Sequence, residues 1–359
     1  MARKPSGGSD TGDYVRKVLI ALALGACVFL AWELRFVLVL LFGAVVVGAI
    51  IRAISGPACK YLHLPDPFAV LLAVVVLFGT VIGAAYLMGS TIISQMNLLN
   101  EAVPKAIGMV DQWFGTLGFD RPFQGWLDDL QKGGGSIMTY LGGWLSAFGN
   151  GLANFLLVVF GGIFLAAQPE FYRTGTIKLV PKARRSLVSE AMDESETALR
   201  LWLKGQLISM VLVGVLTAFG LWALGIESWL VLGLLAGLFE FVPFAGPILA
   251  AIPGIMLALA VSPELAFWTA MIYILVQHVE AYLIQPLVQQ YAVELPPVVL
   301  LFSLLAFGLL FGAIGIFFAA PLAVVTYVLI KRLYVREALD TATPIPGEVE
   351  AKKQTASRK

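Results

Sequence analysis

Apolar residues fall in long runs along the chain, at about 18–32, 36–51, 67–93, 151–167, 206–226, 229–260, 265–282 and 297–330. A helix needs about 20 residues, within a range of about 17–25, to cross the hydrocarbon layer of a membrane. The runs 67–93, 206–226 and 265–282 meet that length. The first two runs are separated only by Glu33-Leu34-Arg35 and predict two tightly turned helices, with one long bent helix as the alternative.

Two runs have the wrong length. A single helix over 229–260 would be about 48 Å long against a hydrocarbon core of about 30 Å, and two full crossings with a turn need more than about 40 residues. The run 297–330 poses the same problem, with Gly308, Gly312, Gly315 and Pro321 inside it. Each predicts a re-entrant hairpin, with half-helices at 229–244 and 248–260, then at 297–311 and 316–330. Each follows a full span, so span-plus-hairpin occurs twice in opposite orientations. That order is the mark of an inverted repeat, whose interrupted segments meet near the membrane midplane. The fold class is therefore all-α, a polytopic integral membrane protein with interrupted helices; two ordinary packing helices per run are the alternative.

Composition agrees: 59% of the 359 residues are hydrophobic and 13% charged, with a mean hydropathy of +0.87. Soluble domains carry about 25% charged residues, so this chain cannot cover a water-facing surface. A net charge of +1 gives no bulk attraction to nucleic acid. Cys27, in an apolar run, and Cys59, in a short loop, suggest neither a metal site nor a disulfide. The first run continues into the second without a polar cleavage region, and so is a retained anchor rather than a cleaved signal.

Charge sets the orientation. Segment 168–205 holds seven cations (Arg173, Lys178, Lys182, Arg184, Arg185, Arg200 and Lys204), and 94–150 holds three (Lys105, Arg121 and Lys132). Arg52 and Lys60 follow the second run, and Lys331, Arg332 and Arg336 the last. Positive-inside counting puts both termini, the loop 52–66 and segment 168–205 in the cytoplasm. The expected organisation is a disordered tail at 1–13, membrane helices at 14–93 and an extracytoplasmic or interfacial helical segment at 94–150. A membrane helix and cytoplasmic amphipathic elbow at 151–205, a core at 206–337 and a tail at 338–359 complete it. Trp113, Trp126 and Trp144 suit headgroup level, and 94–150 covers the bundle, joins subunits or caps a ligand.

Two polar clusters carry candidate chemistry. In FEFVPFAGPILAAIPG, Glu240 stands at bilayer depth, where a carboxylate costs several kcal/mol unless it faces a partner, water or a pathway. It lines a passage, caps a broken helix or reaches an interface. Pro243 and Pro247 free backbone carbonyls, natural ligands for cations or polar solutes. In QHVEAYLIQPLVQQ, Gln277 and Glu280 are spaced to share a helix face with Tyr273, while His278 lies off it. Gln285, Pro286, Gln289 and Gln290 follow.

At these clusters the sequence resembles the autoinducer-2 exporter (AI-2E) family of bacterial permeases, over about residues 14–337. The carrying residues are Glu240, Val242-Pro243, Phe244 and Gly246-Pro247, then Glu280 with Pro286, then Gly312, Gly315 and Pro321. The resemblance implies export of a small polar solute such as autoinducer-2, or sodium(lithium)/proton antiport as in other members. It also implies a homo-oligomer, a pentamer in some members. No cofactor, metal or enzymatic chemistry is expected, since no nucleotide-binding loop, metal cluster or nucleophile-base set is visible. The reading from outside transport is a membrane scaffold whose hairpins serve assembly.

Overall fold

The computed structural model describes residues 8–94, 108, 115, 153–286 and 295–343, and every regular element among them is helical. Apart from Ser94, Gly108 and Gly115, the expectations for segment 94–150 and its tryptophans, and those for Gln289 and Gln290, lie outside the described residues.

Helix α1 (Gly8–Glu33) starts inside the segment expected to be a disordered tail. Asp13 pairs with Lys17 at 3.0 Å, one turn on. Only Leu34 separates α1 from α2 (Arg35–Leu62). The predicted tight pair does not form, because helical hairpins need a loop of about 2–5 residues. The Leu34 N–H still donates to Leu30 and its carbonyl still accepts from Leu38, both at 2.9 Å. The two helices touch only around this junction, and none of the apolar part of α1 is buried. Helix α2 then runs past Arg52 and Cys59, so the expected 52–66 loop shrinks to His63–Pro65. His63 closes α2 in the left-handed region at φ 55, and α3 (Asp66–Ser94) follows.

Helix α4 (Ala153–Ala167) packs on α2 where Gly162 faces the Ala44 carbonyl and Val47. It bends by 93° into α5 (Pro169–Lys178), which Pro169 can open because its missing N–H is not needed there. A short turn leads to α6 (Arg185–Ala223), 39 residues and about 58 Å long. The amphipathic elbow and the following span are thus one continuous helix. Its charged half is held by Arg173, 2.6 Å from Asp193, and by Arg332, which bonds Glu190 and stands 3.6 Å from Glu194. Its apolar half packs against α7 (Trp229–Phe239) through small residues. A Cβ at Gly233 would come within 2.5 Å of the Ala218 side chain, and one at Gly237 within 2.6 Å of the Met210 carbonyl. Close backbone approach of this kind replaces the hydrophobic drive that lipid cannot supply.

Helices α8 (Ala245–Val261) and α9 (Pro263–Val279) form the next pair. Ser262 makes the corner, its Oγ accepting from the Leu265 N–H at 3.1 Å, with Pro263 opening α9. Helix α9 ends in a π-helical turn, Glu280–Ile284. The last run divides into α10 (Pro297–Phe311), α11 (Ala313–Phe317) and α12 (Ala319–Leu329). The core joins α6 to α9 through Val213, Leu221, Leu232, Ala236, Ala258 and Val276.

Among the described residues four helices are long and apolar enough to cross a membrane, or five if the bent α4–α5 pair is one span. Val211, Val215 and Phe219 on α6, and Phe267, Ile274 and Leu275 on α9, face outward. Such continuous apolar surface would drive association in water and is matched by lipid. The chain is a multi-pass membrane protein.

Candidate functional site

The first break is built by its prolines. Pro243 has no N–H to donate and pushes Val242 away from helical geometry, so α7 ends at Phe239 with Glu240 as its cap. The chain tightens there: Phe241 and Val242 donate to the Leu238 and Phe239 carbonyls at 3.3 and 2.9 Å. Phe244 then takes φ 63 and ψ −49, with the Ala245 N–H on the Pro243 carbonyl at 2.8 Å. That is a γ-turn of the rare, strained form, worth about 1–3 kcal/mol of stored strain. Gly246 and Pro247 open α8, where a missing N–H costs nothing. Gly246 lies so close to the Phe239 carbonyl that any Cβ would collide with it.

Gln206 on α6 fixes the level of the break. Its Nε2 donates to the Glu240 carbonyl at 2.6 Å. Gln206 stands two residues beyond Lys204, at the charged end of the apolar half of α6. The break therefore sits nearer that boundary than the midplane position expected from run length, because α7 packs back along α6 as far as Met210.

Helices α8 and α9 each have 17 residues, about 25 Å, so α9 returns its C-terminal end to the level where α8 began. Thr269, Tyr273, Gln277 and Glu280 follow one another at steps of four, four and three and share a helix face. Thr269, Tyr273 and Glu280 are buried, as is Glu240 at 5% exposure. His278 points away, exposed, with Nδ1 2.8 Å from the Ile274 carbonyl. Gln277 lies beside the Glu240 carboxylate and Gln285 beside that of Glu280, and the two carboxylates share one neighbourhood. Glu240 Oε2, Thr269 Oγ1, the Tyr273 hydroxyl and Thr217 Oγ1 are buried with no hydrogen-bond partner among the described residues. Each such atom costs about 1–3 kcal/mol.

The second break follows the first in its chemistry. Gly312 joins α10 to α11 at φ 68 and ψ −147, a region open essentially to glycine. Gly315 lies against the Phe307 carbonyl as Gly246 does against that of Phe239. Pro321 is buried in the first turn of α12. The two breaks meet: the Phe241 ring stands 4.7 Å from that of Phe317 and 6.1 Å from that of Trp202 on α6.

The structure thus gathers Glu240, Gln277, Glu280 and Gln285 into one polar group, with Pro243, Gly246 and Pro247 shaping its turn. Gly312, Gly315 and Pro321 belong to the second break, which touches the first through aromatic rings. Pro286 is exposed beyond the π-helical turn and joins neither. Gln206 and Thr269 were not singled out from the sequence. Thr269 extends the Tyr273–Gln277–Glu280 spacing back by one turn and was findable that way, whereas no local signal marks Gln206.

The sequence profile of the AI-2E family transporters matches residues 18–334. Bacillus subtilis YrrI is 24% identical over 304 residues, covering 80% of this chain and 85% of YrrI. YueF of the same organism is 20% identical, covering 82% and 83% of the two chains. Escherichia coli PerM is 27% identical, over 48% of this chain and 49% of PerM. The names of the first two assign them provisionally to transport, and that of the third to the permeases. With nearly its whole length matched, this chain belongs to the AI-2E transporter family.

Proposed function

We propose that this AI-2E family transporter is a secondary transporter or facilitative exporter of a small polar solute, whose path runs past the first break between α7 and α8. The observation that carries the reading is a pair of buried carboxylates from two different segments, Glu240 beside a strained turn and Glu280 between Gln277 and Gln285 in the chain. A buried carboxylate with an unpartnered Oε2 offers a polar solute an acceptor that the apolar bundle otherwise lacks. The neighbouring amides present both donors and acceptors, which suits a hydroxyl-rich solute such as autoinducer-2. In this reading the chain works as a homo-oligomer in a bacterial inner membrane, with both termini in the cytoplasm.

Sodium(lithium)/proton exchange is the second reading, and the same carboxylate pair favours it. Two carboxylates held together share a proton or a monovalent cation more readily than either does alone.

The test is transport by purified protein in proteoliposomes, with autoinducer-2 uptake and sodium-dependent pH change measured side by side for Glu240→Gln and Glu240→Leu. Charge-dependent transport is abolished by Gln while the protein still assembles. Near-normal transport by the Gln variant across a range of pH would reject a role for the charge.

A further inference from the structure

A second site lies where α2 and α6 leave the apolar layer side by side, its Lys204 two residues before Gln206 on α6. Arg52 ends the apolar run of α2, and Lys204 immediately precedes that of α6. Between them is a cavity of about 290 Å³ lined by Arg52, Gly56, Pro57, Lys60, Arg200 and Lys204. Four cations converge on a space at the lower end of the size range of small-molecule sites, roughly 300–1,000 Å³.

Most of these charges have no ion-pair partner among the described residues. Asp66 takes one of them, pairing with Arg52 at 2.7 Å. Arg52 Nε remains buried with no hydrogen-bond partner among the described residues. Lys60 stands 5.5 Å from the centre of the Tyr61 ring, and among the described residues Lys60, Arg200 and Lys204 have no ion-pair partner. Glu196, one turn before Arg200 on α6, is not within ion-pair distance of it. Three like charges around one cavity repel, so the arrangement is stabilised by an anion.

The wall also carries an acceptor. Pro57 stands inside α2 and cannot donate to the carbonyl four residues earlier, that of Ala53, which lines the same cavity.

We propose that this pocket binds the phosphodiester headgroup of an anionic phospholipid. The guanidinium and ammonium groups hold the phosphate, the Ala53 carbonyl takes a headgroup hydroxyl, and the acyl chains run along the apolar outer face of α2. Basic pockets between helices at this depth are a recurring form of headgroup recognition. Free phosphate offers the same oxyanion but no chains to lie against the exposed Leu38, Leu41 and Val45.

Gly56 gives a test that spares the charges. A Cβ there would meet nothing within 4 Å, so a Gly56→Leu side chain starts in open space at the cavity wall. The full chain, purified in detergent, is titrated with phosphatidylglycerol, with phosphatidylcholine and with inorganic phosphate, reading the thermal midpoint and, by native mass spectrometry, the retained lipid. The expected result is a rise in midpoint of several degrees and lipid retention with phosphatidylglycerol alone. Both disappear in Gly56→Leu and in the Arg200→Gln/Lys204→Gln variant, whose midpoints without lipid stay near that of the parent. Equal response to both lipids, or a phosphatidylglycerol response that survives in Gly56→Leu, would overturn the pocket assignment. A variant-sensitive response to inorganic phosphate as large as that to lipid would assign the pocket to a soluble anion instead. If the double variant fails to fold, Gly56→Leu alone decides.

Discussion

Gln206 reaches across from α6 and holds the backbone carbonyl of Glu240 at 2.6 Å. The carbonyl belongs to the last turn of α7, where intrahelical partners run out. Gln206→Leu preserves bulk and removes the donor, leaving a part-buried carbonyl unpaired. The expected loss is about 1–3 kcal/mol, seen as a lower unfolding midpoint in detergent; an unchanged midpoint would show that water replaces the amide.

The unpartnered hydroxyl of Tyr273 separates structure from function. Its ring packs against Gly254 and its oxygen is buried without a partner among the described residues. Tyr273→Phe removes only that oxygen, so stability should hold or rise, by up to about 1 kcal/mol. Transport should fall severalfold if solute or water meets the hydroxyl. Proteoliposome flux and an unfolding curve on the same preparation check both halves.

Gly246→Ala and Gly315→Ala should each be severe, because the new methyl group collides with a backbone carbonyl, that of Phe239 or Phe307. Overpacking against backbone costs about 1–3 kcal/mol or more. Gly79→Ala on α3 is the control, since a Cβ there meets nothing within 4 Å. Replacing an open helical glycine with alanine should gain about 0.5–1 kcal/mol. A mild effect at all three positions would mean the breaks are looser than described.

The contact between the breaks is measurable as a coupling. Phe241→Ala should destabilise by about 3–5 kcal/mol as a large side chain leaves the interior. A double-mutant cycle with Phe317→Ala should recover about 0.5–1.5 kcal/mol of ring–ring interaction. Zero coupling would separate the two breaks energetically.

Orientation is tested by labelling. In a background lacking Cys27 and Cys59, a cysteine at Ser186 should resist an impermeant thiol reagent added to intact cells, and one at Ser136 should react. The reverse pattern would invert the topology.

The legible parts of this molecule are those governed by local chemistry. Run length and proline position placed the second interruption at Gly312, where α10 does stop, but carried the first half-helix on to residue 244, whereas α7 already ends at Phe239 and α8 begins at Ala245. The spacing of Tyr273, Gln277 and Glu280 put them on one face and His278 off it. What could not be read depends on contacts between distant segments. Equal helix lengths return Gln277 to Glu240, and that equality is set at a serine corner rather than within either cluster. The packing of α7 along α6 set the depth of the break, and no run length encodes it. Leu34 misled in the opposite sense: three residues between apolar runs suggested a reversal, yet a single turn residue cannot reverse a helix. Arg52 and Lys204 were read as orientation signals, and their convergence on one cavity appears only once α2 and α6 lie together.

The length of α6 joins two chemistries that are otherwise separate. Thirty-nine residues without a proline act as a torsion bar, clamped at one end by Arg173 and Arg332 and geared at the other into the glycine faces of α7. A headgroup bound as proposed above, if it shifted Arg200 and Lys204, would turn Gln206 with them, and Gln206 holds the broken turn. The membrane's own charge would then set the tension on the broken turn at Glu240.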